Sequence, residues 1–408
     1  MDFRLSEDEQ LFVESVREFL AKELSPHWIT MDEQHRIPTE IIHKLGEQGL
    51  FAIPVPEEYG GQGGNMLLTT LAVEEVAYAD PAVATAVFTL LNNAWPFILY
   101  KYGNEEVKQE ILPKVGSGQG FFGIASTEPH GGSDVAGTRT RAVKDGDLYR
   151  ITGEKIYISG VRESMEQLSL GSWFTITRTG TPESRHRGIS AFAFIGNKDG
   201  KVPEGFRYSI LNTVGRHGIS TGMLEFNDVE IHKKYLIGEE NKGFYLAMQG
   251  FSIARIFVSA ANIGAARWAL EQAIEYARNR RMFDDRPITS FQGVSFPLAE
   301  LAVKIESAKL LVYKAAQIAD RIFIEQEPGL RPHDLNFYAA ASKIASVETS
   351  KEAFETLMKT MGAYSYTKEA HVYRGLLGVL SYLVGAEGAQ NIMRYIVARE
   401  IIGREYVK

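Results

Sequence analysis

The sequence predicts a mainly α-helical protein with a central antiparallel β-domain, in the order helical, β, helical. Three observations carry this. Apolar residues recur at helical spacing through the first 120 residues. From Phe121 the pattern breaks into short β-branched or aromatic segments separated by turns. From Asn241 the helical period returns and persists. The expected domains are 1–120, 121–235 and 236–408, and 408 residues suit about three domains at ~100–200 residues each.

At the start, Ser6 and Glu9 form a capping box, serine accepting from a free helix N–H and glutamate reaching back. Leu11, Phe12, Val16, Phe19 and Leu20 follow with helical spacing. Pro38 opens a second helix through Leu50, with Gly49 as a stop signal. Gly60, Gly61, Gly63 and Gly64 make a tight loop within Pro54–Asn65. It is not a dinucleotide fingerprint, because the third glycine and the strand-to-helix setting are missing. Helices are expected over Met66–Tyr78, Pro81–Tyr102 and Glu105–Val115.

In the middle block the expected strands include Tyr149–Ile151, Ile156–Ser159, Trp173–Thr177, Ile189–Ile195 and Met223–Ile231. Asp145-Gly146 signals a hairpin, and Gly180–Arg187 and Asn197–Gly205 read as polar loops. Helical segments then follow at Gly243–Arg281, Ser290–Glu325, His333–Met361, Thr367–Leu383 and Glu387–Ile402. Frequent alanines, such as Ala260, Ala261, Ala265 and Ala266, suit closely packed helices of a bundle.

Composition narrows the function. A net charge of −7 argues against a nucleic-acid protein. The absence of cysteine removes a disulfide framework, a thiolate nucleophile and a cysteine zinc site. The acidic start Met1–Glu9 lacks a signal-peptide pattern. The charge-free run Gly375–Ala386 is about half the length of a membrane span. A cytoplasmic protein is expected, or an organelle-matrix protein after processing.

The stretch Ala125-Ser126-Thr127-Glu128-Pro129-His130-Gly131-Gly132-Ser133-Asp134 is rich in turn formers, short hydroxyls and accessible N–H groups, which suits a cofactor with many acceptor atoms. Together with Gly153-Glu154-Lys155-Ile156-Tyr157-Ile158-Ser159-Gly160, it resembles the paired flavin-site signature of the acyl-CoA dehydrogenase family. The order helical, β, helical is also that family's, and the resemblance covers nearly the whole chain. It implies FAD contacts from Ile124, Ser126, Thr127, Gly132 and Ser133, and from Tyr157, Ile158 and Ser159. Tyr157 stands where the family usually has tryptophan, and a tyrosine ring can also pack there. Ser133 is also implied to face the pantetheine part of CoA.

Near the end, Gly385-Ala386-Glu387-Gly388-Ala389-Gln390-Asn391, with Ile396-Val397-Ala398-Arg399 behind it, is similar to the family's C-terminal motif. Ungapped alignment puts Glu387 on the catalytic glutamate. Read alone, Glu387 would be a solvated residue at the start of a helix. Gly385 and Gly388 permit tight backbone geometry around it. The following helix would favour its ionisation and burial would oppose it. Some relatives carry the base on the long helix, where this chain has Ala254, which cannot act as one. Arg255 resembles a family arginine near the acyl-CoA, against the alternative of an ordinary helix-surface charge.

The family completes its flavin site from a neighbouring subunit, with Arg-x-x-Phe-Gly-x-Pro and then Gln. Here the segment is Arg280-Arg281-Met282-Phe283-Asp284-Asp285-Arg286-Pro287, then Gln292. One residue is inserted, and either Arg280 or Arg281 could face the pyrophosphate. Other departures are Gly378-Val379 where an Arg-Asp pair is expected, Ala389 for a threonine beside the flavin, and Asn391 for a glutamate or glutamine. Ala386 replaces a frequent tyrosine before the base, which opens room for a branched, cyclic or aromatic acyl group unless a neighbouring aromatic such as Tyr364, Tyr366 or Tyr382 fills it.

Three competing motifs carry less. Gly218-Ile219-Ser220-Thr221-Gly222 matches a nucleophile elbow, but a strand-like segment follows where a helix is required. The nine histidines show no metal-ligand spacing, and no Walker-type loop is present. The resemblance therefore implies α,β-dehydrogenation of an acyl-CoA in a homotetramer, with electron-transferring flavoprotein as acceptor. The alternatives are an enoyl-CoA reductase or acyl-CoA oxidase on the same fold, and, in another class, a non-catalytic flavin-binding interaction module.

Overall fold

The computed structural model describes residues 4–407. Six helices come first: α1 (Glu7–Glu23), α2 (Trp28–Glu33), α3 (Thr39–Glu47), α4 (Met66–Ala79), α5 (Ala84–Tyr102) and α6 (Glu105–Gly116). The expected capping box starts α1: Glu9 N donates to Ser6 Oγ at 3.2 Å and Ser6 N to Glu9 Oε2 at 2.7 Å. Pro38 sits one residue before α3, which stops at Glu47 rather than Leu50. The short helix α2 was not expected from the pattern. It buries Trp28 and Met31, with Trp28 edge-on to Trp268 at 5.7 Å. The free N–H groups at the start of α4 are met by two side chains. Asn65 accepts from Leu68 N at 2.8 Å, and the distant Asp320 carboxylate accepts from Met66 N at 2.6 Å and Leu67 N at 3.1 Å.

The middle block holds β1 (Gly120–Ala125), β2 (Arg141–Asp145), β3 (Leu148–Ser159), β4 (Leu170–Arg178), β5 (Ile189–Lys198), β6 (Phe206–Leu211) and β7 (Thr221–His232). The sheet order is β1-β4-β2-β3-β7-β6, with β5 on β4. The expectation of an antiparallel domain needs correction, because β1 pairs with β4 in parallel, from Gly120↔Leu170 to Ala125↔Thr175, and a β2–β4 bridge is parallel too. The chain between β1 and β4 includes the β2–β3 hairpin, enough to bring it back to the same end of the sheet. The hairpin turn is Gly146-Asp147, one residue later than expected, with Gly146 at φ +61°. Tyr149–Ile151 and Ile156–Ser159 belong to one long strand, kinked by two bulges.

The C-terminal block contains α7 (Gly243–Asn279), a small hairpin of β8 (Arg281–Met282) and β9 (Arg286–Pro287), then α8 (Gln292–Phe323), α9 (Asn336–Met361), α10 (Val372–Val384) and α11 (Gln390–Ile402). The long α7 is the central post, and its alanines at 260, 261, 265 and 266 are fully buried. Gly264 allows the closest approach, since a Cβ there would lie 2.0 Å from Glu74 O of α4. Among the described residues α7 is the one helix long and apolar enough to cross a membrane, and 72% of its apolar 18-residue stretch is buried inside the protein. The expected helix Glu387–Ile402 begins three residues late. Glu387 lies in the α10–α11 loop, where Ala386, Glu387 and Gly388 have φ of +50°, +56° and +115°.

Candidate active site

The first wall of the site grows from the end of β1. Ile124 and Ala125 still pair with β4, after which Ser126 and Thr127 leave the sheet half-buried. Ile156 N donates to Thr127 O at 2.9 Å and joins the two motif segments. Beneath them lies a buried ion pair, Lys155 Nζ to Glu128 Oε1 at 2.7 Å, with side chains 0% and 3% exposed. Lys155 also donates to Ser126 O at 3.2 Å, and Glu128 accepts from Arg139 N at 2.7 Å and Thr140 N at 3.0 Å. Burial pushes the Lys155 amine down to about 8, while its charge helps hold the Glu128 carboxyl below the usual range against the opposing effect of burial. The two shifts differ in what they say about the ionised pair; the 2.7 Å contact with two further N–H donors on the carboxylate supports a charged pair at neutral pH.

Above that anchor the rim is left unsatisfied. The N–H groups and hydroxyls of Ser126, Thr127 and Ser133, and the Gly132 N–H, have no partner among the described residues. Tyr157 is the extra residue of a bulge between Ile156↔Met223 and Ile158↔Gly222, and its φ of +61° turns the ring outward to 66% exposure. Ile158 is buried beneath it, and Ser159 Oγ accepts from Arg216 at 3.3 Å. A donor-rich rim beside an exposed aromatic face suits a polar, planar ligand.

The second wall is the loop after α10. Its carbonyls turn toward two buried cations. Lys343 of α9 donates to Gly385 O at 2.9 Å and also to Ala386 O and Gly388 O. Arg255 of α7 donates through Nε to Glu387 O at 2.9 Å. The Glu387 carboxylate itself accepts no hydrogen bond from any described residue. Burial pushes its carboxyl up, and the charges of Lys343, Arg255 and Arg216 pull the other way. Burial lowers the Lys343 amine as well, against the attraction of Glu387. Tyr382 of α10 is fully buried, and its hydroxyl has no partner. It lies within electrostatic reach of Arg216 and Glu387.

The sequence-derived residues separate into two groups. Arg255 and Ala386 gather with Glu387, and Arg255 is buried, not a surface charge. Ala389 caps α11, and Asn391 in its first turn accepts from Arg394 at 3.1 Å. Arg280, Arg281, Phe283 and Gln292 stand apart. Among the described residues, no hydrogen bond, ion pair or ring contact ties them to either wall. Arg281 donates to Asp285 O, Ile288 N donates to Arg280 O, and Phe283 is 69% exposed at φ +41°. Lys343 and Arg216 were not singled out by the sequence. Lys343 did leave a trace there: it shares a buried helical stripe with Ala339, Ala340, Ser346, Val347 and Ser350, where a lysine is out of place.

Comparison with known proteins assigns the architecture. Family models described as the N-terminal, middle and C-terminal domains of acyl-CoA dehydrogenase match residues 6–119, 123–229 and 241–402. An acyl-CoA dehydrogenase of Bacillus subtilis is 33% identical, covering 98% of this chain and 99% of its own. The chain belongs to the acyl-CoA dehydrogenase family. Butyryl-CoA dehydrogenase from Megasphaera elsdenii superposes with a TM-score of 0.87 at 29% identity, over 98% of this chain and 100% of the other. A glutaryl-coenzyme A dehydrogenase solved with glutaryl-CoA gives 0.87 at 29%, over 98% and 97%. This acyl-CoA dehydrogenase is an oxidoreductase that uses FAD and acts on an acyl-CoA. The unsatisfied donors of the Ser126–Ser133 rim and the outward Tyr157 ring fit that cofactor.

Proposed function

We propose that the protein removes the α and β hydrogens of an acyl-CoA thioester, with Glu387 as the base. The observation that carries this is the Glu387 carboxylate: no described residue hydrogen-bonds to it, and three cations face it. A thioester α-proton is a very weak acid, so its removal needs two things together. Glu387 must be ionised, which Lys343, Arg255 and Arg216 favour. The thioester oxygen must also be polarised by donors as negative charge develops on it, which the free N–H of Glu387 can supply. The electron pair left at Cα then forms the double bond as hydride departs from Cβ. FAD, when bound, supplies the hydride acceptor.

Ser126, Thr127, Gly132, Ser133, Tyr157 and Ser159 would line the flavin, and Ser133 and Arg255 the acyl-CoA. The small side chains of Ala386 and Ala389 support a branched, cyclic or aromatic acyl group. A neighbouring copy in a homotetramer would bring the Arg280–Phe283 hairpin and Gln292 to the flavin. We further propose electron-transferring flavoprotein as the acceptor and a cytoplasmic or organelle-matrix location. Anaerobic titration of the holoenzyme with straight, branched, cyclic and aromatic acyl-CoAs tests the reading. Flavin bleaching with release of the enoyl-CoA is expected; a flavin that no acyl-CoA bleaches refutes it.

A further inference from the structure

The α10–α11 loop has a regularity that its sequence does not announce. Four consecutive carbonyl oxygens, those of Gly385, Ala386, Glu387 and Gly388, each accept from a buried cationic side chain. Three of the four go to a single ammonium. Lys343 is 0% exposed and has three N–H donors, all spent on this loop. The opposite edge of the same peptides is bare. The N–H groups of Ala386, Glu387, Gly388 and Ala389 have no partner among the described residues. Two adjacent non-glycine residues, Ala386 and Glu387, hold the left-handed conformation that makes this arrangement possible. Such a conformation persists only where the surroundings enforce it.

We infer that Lys343 is a positioning residue: by gathering three carbonyls of the base loop on one side, it turns the loop's N–H groups toward the thioester oxygen and fixes the Glu387 side chain. Arg255 completes the set from α7 by holding the remaining carbonyl, that of Glu387. The inference rests on the proposed reaction and adds to it the device that aims the loop's N–H donors. It also makes a statement about charge. The groups facing the Glu387 carboxylate are Lys343 on α9, Arg255 on α7, Arg216 in the β6–β7 loop and Tyr382 on α10. Lys343 thus acts twice, through geometry on the backbone and through charge on the carboxylate.

Two variants of the holoenzyme separate these effects. Lys343→Met removes both. FAD content and affinity for an enoyl-CoA product should stay near wild type. Anaerobic flavin reduction should slow by ~10²-fold or more, the scale for losing an oxyanion donor. Its acid limb should move to higher pH, because the carboxylate has lost a cation. The infrared carbonyl band of the bound enoyl-CoA should return toward that of the free thioester. Lys343→Arg keeps the charge, but a planar fork cannot serve three converging carbonyls. There the acid limb should stay in place while the rate and the carbonyl band still suffer. Wild-type reduction or a wild-type carbonyl band in Lys343→Met overturns the inference. If that variant loses FAD, a wild-type carbonyl band in Lys343→Arg overturns it instead. A wild-type enzyme bleached by no acyl-CoA removes the functional reading first, and this inference with it.

Discussion

Replacing Lys155 by Met keeps most of the side chain's volume and deletes only its charge. In the native protein the ammonium is completely buried, 2.7 Å from Glu128 and 3.2 Å from Ser126 O. Its loss leaves the Glu128 carboxylate with Arg139 N and Thr140 N as its hydrogen-bond donors and His130 Nδ1 3.5 Å away. Removing one partner of a buried pair costs ~3–5 kcal/mol. The two surviving N–H bonds place this case at the lower end, about 3 kcal/mol. The loss also frees the Ser126–Glu128 backbone, so FAD should be retained less well. The sign with pH follows from Glu128. Its carboxyl is held low in the native state, so the stability it contributes is present above the ordinary carboxylate range and is lost on acidification. In the variant Glu128 takes a proton at higher pH, so the deficit against wild type should shrink from pH 7 to ~5. Urea midpoints at both pH values and the bound FAD fraction measure this. Adding Glu128→Gln should restore part of the loss, because no unpaired charge remains. If Lys155→Met alone unfolds within ~1 kcal/mol of wild type and keeps its FAD, the ion pair does not anchor the cofactor loop.

Glu387→Gln should cut anaerobic flavin reduction by at least ~10²–10⁴ while FAD and acyl-CoA binding persist. Near-wild-type reduction would refute the assignment of the base. In the wild type, reduction should fall as pH drops through the raised Glu387 carboxyl, since only the carboxylate can take the proton. Ala386→Tyr should favour straight acyl chains over cyclic ones of equal carbon number in turnover assays; an unchanged preference removes the pocket argument. Gly388→Ala should slow catalysis and lower the melting temperature, because a Cβ at φ +115° would meet Met393 Cε at 2.8 Å. Of Arg280→Met and Arg281→Met, the one that weakens FAD retention identifies the pyrophosphate contact; no effect from either removes the hairpin from the cofactor site.

The helices were legible because burial on one face imprints a period, as at Leu11, Phe12, Val16, Phe19 and Leu20, of which Val16 and Leu20 reach the core. The strands were legible only in part. Phe206–Leu211 has one buried residue, Phe206, and is held as a strand by its pairing with β7. The direction of β1 was invisible, since periodicity carries no information about which way a partner runs. Glu387 and Arg255 were found through resemblance, but the other two cations that act on the carboxylate were not. Lys343 lies 44 residues upstream and Arg216 comes from another domain. A lone lysine or arginine reads as surface charge until the fold buries it. The positive φ at Ala386 had no sequence sign, because alanine rarely adopts it.

The cap on α4 has a consequence for how the protein is made. The N–H groups of Met66 and Leu67 are met by a carboxylate 254 and 253 residues further along the chain, and Asp32 on α2 waits for Arg374. During synthesis the N-terminal helices therefore emerge long before the groups that finish them. For most of that interval they carry unpaired backbone donors and an unpartnered carboxylate, and they wait for the bundle to close over them. Pairings this distant in sequence form slowly and expose intermediates to aggregation. Nascent chains ending before residue 320 should consequently depend on chaperones, although the α1 capping box can already form.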